Sequence, residues 1–242
     1  MSENAEPHTF RSYDGALAEL RVGAHTMGVM VADQVKAAVR ALLDGDREAA
    51  LEVLAREKRI NAYQTHIEAE SFRLLARQAP VASDLRMILA VTRAVNDLER
   101  AGDEAKKIAR FAVASAGHAG GGPSRVMHRP LTHMAELASE SMRVAVDALD
   151  RGDAALAHDV ARLDRALDDE FEAALRQLVT VAMERTRLLG PVFDTVFALK
   201  GLERIGDHAK NVAEHVVFLV SGADVRHAGD RSRGVPARDS QH

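Results

Sequence analysis

The stretch LERAGDEAKKIA at residues 98–109 returns as LERIGDHAKNVA at residues 202–213, with eight of twelve positions identical at an offset of 104. A second landmark repeats in the same order. LLDGDREAALEVL around Gly45-Asp46 is echoed by ALDRGDAALAHDV around Gly152-Asp153, 107 residues later. Two landmarks kept in order at nearly one offset indicate an internal duplication, which chance similarity between Ala-rich helices rarely reproduces. Between the copies lies SAGHAGGGPS (115–124), whose four glycines and one proline break helix and make a flexible linker.

Each copy divides into three helical stretches. The first copy gives 12–43, 46–78 and 83–116, and the second 124–150, 153–185 and 191–221. Gly45 and Gly152 suit helix C-termini, and Asp46 and Asp153 suit the N-caps that follow. Pro80 with Ser83 or Asp84 ends one helix and caps the next, and Gly190-Pro191 marks the matching break. Leu17, Leu20, Met27, Val31, Val35, Val39 and Leu42 recur at three- and four-residue steps, as do Ile88, Val91, Val95, Leu98, Gly102, Ala105 and Ala109. Helices of about 30 residues with short connections pack as antiparallel bundles. The expected fold is all-α: two tandem antiparallel three-helix bundles over 10–116 and 124–221. Residues 222–242, rich in Gly, Arg, Asp and Ser and lacking a stripe, are expected to be disordered.

Composition agrees with helix. Apolar residues make up 47% of the 242, yet aromatics only 4%, and Ala, Leu, Val, Arg and Glu dominate. Without cysteine the chain can build no disulfide, thiolate zinc site, iron–sulfur cluster or cysteine nucleophile. No secretory signal opens the sequence, and its longest apolar run, Val216 to Val220, is far below the roughly 20 residues that span a bilayer. A cytoplasmic protein is expected, touching a membrane only peripherally through partners. A net charge of −4 argues against nucleic-acid binding, which phosphate neutralisation drives.

Chemistry concentrates on the repeated signature. Glu99/Asp103 and Glu203/Asp207 stand at i, i+4, so each pair shares a helix face on the shoulder of the apolar stripe. Asn211 follows on that shoulder in the second copy and Lys107 in the first. Helix two of the second copy offers Asp164, Asp168 and Glu172 at i, i+4, i+8, aligned with Glu57, Asn61 and Thr65 in the first. Together these oxygens suit hard divalent cations such as Mg²⁺ or Mn²⁺, and also iron. Acidic pairs of this spacing are commonplace on solvated faces, where Arg100 and Arg204 would satisfy them locally. Against that bland reading, like charges at i, i+4 cost roughly 0.2–0.5 kcal/mol. The mid-helix glycines Gly102 and Gly206 each cost about 1 kcal/mol relative to Ala. Both penalties kept in both copies point to a use: close helix approach or room for an ion. No His lies three residues after a Glu, so the Glu-x-x-His of diiron bundles is missing; His208 and His215, at i, i+7, read as partly exposed packing residues. Walker A, Gly-x-Ser-x-Gly and Gly-x-Gly-x-x-Gly sequences are also absent. Asp84-Leu85-Arg86 reads as a cap plus an ion pair.

LERAGDEAKKIAR and GLERIGDHAKNVAEHV resemble the duplicated Glu/Asp-x-x-x-Asp signatures of the PhoU family of phosphate-uptake and phosphate-signalling regulators, and RQAPVASDLR (77–86) is similar to its segment between helices two and three. The resemblance spans roughly residues 10–221. It implies two pseudo-symmetric three-helix bundles and multinuclear metal sites on Glu99, Asp103, Glu203 and Asp207, with Asn211 matching the motif's common asparagine; the spacing on helix two adds Asp164 and Asp168 as facing groups. The metal would be a divalent or trivalent ion: Mg, Mn, Fe or Zn. Lys107 departs from the motif and weakens the first site relative to the second. The resemblance further implies a non-enzymatic negative regulator that couples a phosphate ABC transporter, through its ATPase, to a sensor histidine kinase. A homodimer is the expected assembly. The competing expectations are a carboxylate-bridged metalloenzyme and a purely structural helical adaptor.

Overall fold

The computed structural model describes residues 6–78, 80, 82–116, 122–184 and 189–222. Residues 117–121 of the Gly-rich linker, and the residues after 222 that were expected to be disordered, lie outside the described residues. Among the described residues the regular structure is helical: α1 (Glu6–Asp44), α2 (Arg47–Gln78), α3 (Ala82–Ser115), α4 (His128–Arg151), α5 (Ala154–Glu184) and α6 (Leu189–Ser221), with a 3₁₀ turn at Arg125–Met127.

The α1–α2 and α4–α5 corners follow from Gly45-Asp46 and Gly152-Asp153. Both glycines adopt φ of 63°, a left-handed conformation that side chains with a Cβ rarely take. The Asp46 and Asp153 amides reach back to the carbonyls of Ala41 and Ala148, each at 3.0 Å, closing a Schellman motif. Their carboxylates then cap the next helix: Asp46 accepts from the Ala49 amide at 3.0 Å, and Asp153 from Ala155 and Leu156 at 2.8 and 3.2 Å. The other breaks differ from expectation. α3 already begins at Ala82, so Ser83 and Asp84 lie inside its first turn, and Asp84 makes no ion pair with Arg86 among the described residues. An acid there still suits the helix dipole. α6 begins at Leu189, which places Pro191 in the first turn, where its missing N–H costs nothing.

The predicted stripes are buried, from Leu17 to Leu42 on α1 and from Ile88 to Ala109 on α3. The two three-helix units do not sit apart as separate bundles. α1, α3, α6 and α4 close a central ring in which each helix packs on the next, while α2 lies across α1 and α3 and α5 lies across α4 and α6. One continuous apolar core results. The Ser139 hydroxyl on α4 ties the halves by donating to the Ala32 carbonyl on α1 at 3.0 Å. α1 also meets α4 tightly at Gly28, where an added Cβ would stand 2.2 Å from Val146 Cγ1 and 3.0 Å from its Cβ. Val146 is stiff at χ1 and cannot swing away. Gly28→Ala should therefore cost about 1–3 kcal/mol through overpacking despite alanine's better helix propensity, read as a lower urea midpoint at unchanged m value.

Candidate functional site

The signature glycines lie where helix two and helix three of each copy meet. α3 packs on α2 and α6 on α5 at Gly102 and Gly206. A Cβ at Gly102 would meet Glu57 Oε2 and Ile60 at 3.5 Å, and one at Gly206 would meet Leu167 Cδ2 at 2.3 Å and Asp164 Oδ1 at 4.0 Å. At Gly206 the missing side chain makes room for Leu167 of helix two, whereas a Cβ at Gly102 would make only ordinary contacts. The acids of each copy thus lie along the α2–α3 or α5–α6 seam.

In the first cleft Glu57 is buried, with 3% exposure. The Gln34 amide donates to its Oε2 at 2.7 Å, and Oε1 has no partner. Burial raises the Glu57 pKa, and the charges of Asp103 and Glu99 raise it further, against the lowering by Gln34 and Lys106. Glu99 is raised as well, first by burial and then by Asp103. Lys106 donates to Asp103 Oδ1 at 2.9 Å. In the second cleft Asp164 is buried, and Lys210 crosses from α6 to donate to its Oδ2 at 2.6 Å. Lys200 pairs with Glu203 Oε2 at 2.6 Å. Asp168 is raised by burial and by Asp164 and Glu203, and Asp207 by burial and by Glu203 and Asp164. The hydrogen bond to Asp164 raises Lys210 in turn.

Glu99 and Asp103 lie within electrostatic reach of Glu57, and Glu203, Asp207 and Asp168 within reach of Asp164 or of one another, with Asp168 and Asp207 exposed at the surface. Other expected members do not. Asn211 turns to α3, where its amide donates to Asp97 Oδ1 at 3.0 Å. Lys107 faces Glu104 at 2.9 Å, so neither it nor Asn211 decides the character of a cleft. Glu172 is spent on Arg176, and Thr65 donates locally to the Asn61 carbonyl. Arg204 pairs across the junction with Glu104 at 2.9 Å instead of quenching its own signature. Lys106 and Lys210, the doubled lysine of the motif, neutralise the acids together with Lys200 in the second copy.

The donor set is of the type a hard cation takes: carboxylate oxygens, of which Glu57 Oε1 and Glu203 Oε2 are buried without a hydrogen-bond partner, the latter facing the Lys200 ammonium at 2.6 Å. Among the described residues no three His, Cys, Asp or Glu side chains already converge as ligands.

A second polar cluster lies at the α3–α6 junction. Asp97 accepts from His208 Nδ1 at 3.1 Å, His215 Nε2 at 3.0 Å and Asn211 Nδ2 at 3.0 Å. Burial alone would raise Asp97, but these three hydrogen bonds overcome it and hold the carboxyl far below its usual range. Both histidines are buried, which corrects the expectation of partly exposed packing residues: the acceptor on α3 makes their burial tolerable. The duplication hides this acceptor, because its counterpart at an offset of 104 is Gly201. By the same offset Arg93 and His215 correspond to Phe197 and Phe111, which stack with centroids 6.0 Å apart. One end of the junction is aromatic and the other is polar.

Comparison with known proteins fits this architecture. The model of the family described as PhoU domain matches residues 24–112 and 131–216. The phosphate-specific transport system accessory protein PhoU homolog of Pseudomonas putida is 41% identical over 227 residues, covering 94% of this chain and 88% of that one. The crystal structure of PhoU from Pseudomonas aeruginosa superposes with a TM-score of 0.81 at 41% identity, over 87% of this chain and 100% of that chain. That of the phosphate transport system regulatory protein PhoU from Streptococcus pneumoniae gives 0.78 at 26% identity, over 87% and 98%. A twice-matched domain, relatives similar along nearly the whole chain and the same six-helix arrangement agree: this chain is a member of the PhoU family.

Proposed function

We propose that this chain is a non-enzymatic negative regulator of phosphate uptake and of the phosphate-starvation response, coupling a phosphate ABC transporter to a sensor histidine kinase by protein contact. The observation that carries the reading is the 41% identity, over 94% of the chain, to a phosphate-specific transport system accessory protein. Long helices around one core give a rigid face able to bridge two partners. No described helix is long and apolar enough to cross a membrane, so contact with a membrane complex would run through those partners. Metal belongs to the same reading. Glu57, Glu99 and Asp103 would hold one hard cation, and Asp164, Asp168, Glu203 and Asp207 another. A bound ion would supply the positive charge that offsets carboxylate repulsion and would tie helix two to helix three of each copy. A metalloenzyme is the weaker reading, because the acids sit at the edge of the core and the chain lacks Glu-x-x-His.

A clean deletion carrying a phosphate-responsive reporter tests the function. Expression should become constitutive in high phosphate and return to repression on complementation with the intact chain. Unchanged repression in the deletion strain would overturn the regulator reading.

A further inference from the structure

The internal repeat supplies its own control along the α3–α6 junction. Arg100 and Arg204 hold the same place in the two copies, at the offset of 104, and so do Glu104 and His208. Arg204 is neutralised across the junction by Glu104 at 2.9 Å. Arg100 lacks the equivalent partner, because His208 stands where that acid would be and is turned to Asp97 at 3.1 Å. Arg93 diverged likewise: its counterpart Phe197 stacks on Phe111, whereas the Arg93 guanidinium lies over the Phe218 ring at 5.5 Å. Neither Arg93 nor Arg100 makes an ion pair among the described residues; Glu99 feels the Arg100 charge without bonding to it.

Both guanidiniums line one pocket of about 460 Å³, together with Asn96, Asp97, Asn211 and His215. Asp97 is the one acid there. It is buried, and its oxygens already accept from both imidazoles and from Asn211, so it claims neither arginine. The Asn96 and Asn211 amides each spend one N–H, on the Thr92 carbonyl and on Asp97, and each keeps a second to give. We propose that this pocket is a receptor for a phosphoryl dianion, gripped by the forks of Arg93 and Arg100 with the remaining N–H groups of Asn96 and Asn211. The proposal is independent of the metal and regulator readings.

Three physical points favour it. Two permanently charged forks call for a ligand with two negative charges and several acceptor oxygens, and Arg–phosphate contacts are charge-assisted and often bidentate. Seven residues separate the arginines by about 10.5 Å along α3, so their long side chains close on a group held between them. Arg93 is already steadied by the Phe218 ring, which lowers the ordering cost of binding. Single solvated arginines are ordinary on a surface. Two sharing one pocket, beside an acid tied off by other donors, are not. The volume falls within the roughly 300–1,000 Å³ of small-molecule sites, so the phosphoryl group can arrive on an organic molecule as well as in the free ion.

Calorimetric titration of the full chain at about pH 8, where a phosphate monoester carries close to two charges, tests this. Phenyl phosphate should bind saturably and at least tenfold tighter than phenyl sulfate, which has the same shape and one charge fewer. Arg93→Gln and Arg100→Gln should each weaken it at least tenfold, while Arg204→Gln, at the pseudo-equivalent place, should leave it unchanged. Circular dichroism confirms the folds; Arg100 is exposed, so Arg100→Gln decides alone if Arg93→Gln does not fold. Inorganic phosphate titrated alongside identifies the source, and either answer upholds the pocket: equal affinity assigns the free ion, weaker affinity an organic phosphate. Four results would overturn the proposal. These are no saturable binding of either phosphate at millimolar concentration, binding indifferent to Arg93 and Arg100, an equal loss in Arg204→Gln, or phenyl sulfate or succinate bound as tightly as phosphate.

Discussion

Replacing Asp97 by alanine should lower the unfolding free energy by about 3–5 kcal/mol, the cost of removing one partner from a buried charged network. The carboxylate accepts from His208, His215 and Asn211, and both imidazoles are buried. Truncation leaves those donors facing a small cavity with no acceptor, and each orphaned polar group costs about 1–3 kcal/mol, less than additively. Asp97→Asn keeps one acceptor oxygen but presents an amide to one imidazole, so it should fall between wild type and alanine. The pH dependence identifies the cause. A carboxylate whose pKa is depressed by folding contributes its full stabilisation above the unfolded value of about 3.9 and loses it as pH falls below that. The share of the Asp97→Ala deficit that the carboxyl's own titration sets should therefore shrink only below about pH 4. Urea unfolding across that range checks both the size and the window. A deficit under about 1 kcal/mol at neutral pH would mean that the donors find substitutes.

What the sequence made legible was what short-range chemistry determines. Gly45-Asp46 and Gly152-Asp153 write their corners in four residues, and the 3.6-residue stripes on α1 and α3 name the core directly. Glu99/Asp103 and Glu203/Asp207 could be placed because i, i+4 spacing fixes a shared face whatever the tertiary packing. Asp97 could not be found this way. Its partners lie 111 to 118 residues downstream, and the register that sets α3 against α6 has no local period. Asn211 failed for the same reason: its wheel position lies between the cleft and the junction, and only the Asp97 acceptor decides which way the amide turns. The central ring was hidden too, since nothing local says that α1 packs on α4 as closely as on its own neighbours.

Duplication explains what symmetry the chain keeps and where it gave way. Both clefts retain the glycine, the acidic pair and the lysine, but only in the second does the lysine cross the seam, from Lys210 to Asp164. The α3–α6 junction lies between the copies, so its two ends face different sequence once the copies diverge. One end became the Phe111–Phe197 stack, and the other became Asp97 with His208 and His215, beside Arg93 laid over the Phe218 ring at 5.5 Å. A buried polar end pairs only in one register, so it orients the copies where an apolar one tolerates sliding.

Replacing Lys210 by methionine should cost about 2–4 kcal/mol at neutral pH without added metal, next in size to the loss at Asp97. Methionine keeps most of the apolar stem, so the loss reports the ammonium. Asp164 then stands buried without its 2.6 Å partner, and Asp207 and Asp168 lose a cation that offsets their mutual repulsion. Lys210 is itself partly exposed, and solvent screening holds the figure below that of a fully buried pair. Acidification should reduce the deficit. Asp168 and Asp207 have pKa values raised by folding, so the native state binds protons that the unfolded chain has already released, and stability rises as pH falls through those raised values. Removing the lysine strengthens the repulsion and enlarges this gain, so the variant should approach wild-type stability between neutral pH and about 4. That trend differs from the one for Asp97→Ala, where the carboxyl's own titration reduces the deficit only below about pH 4. Thermal melts of the two variants side by side separate a pair that neutralises a crowded cleft from an acceptor that organises a junction. A Lys210→Met deficit that stays constant with pH would assign its stabilisation to packing instead of charge.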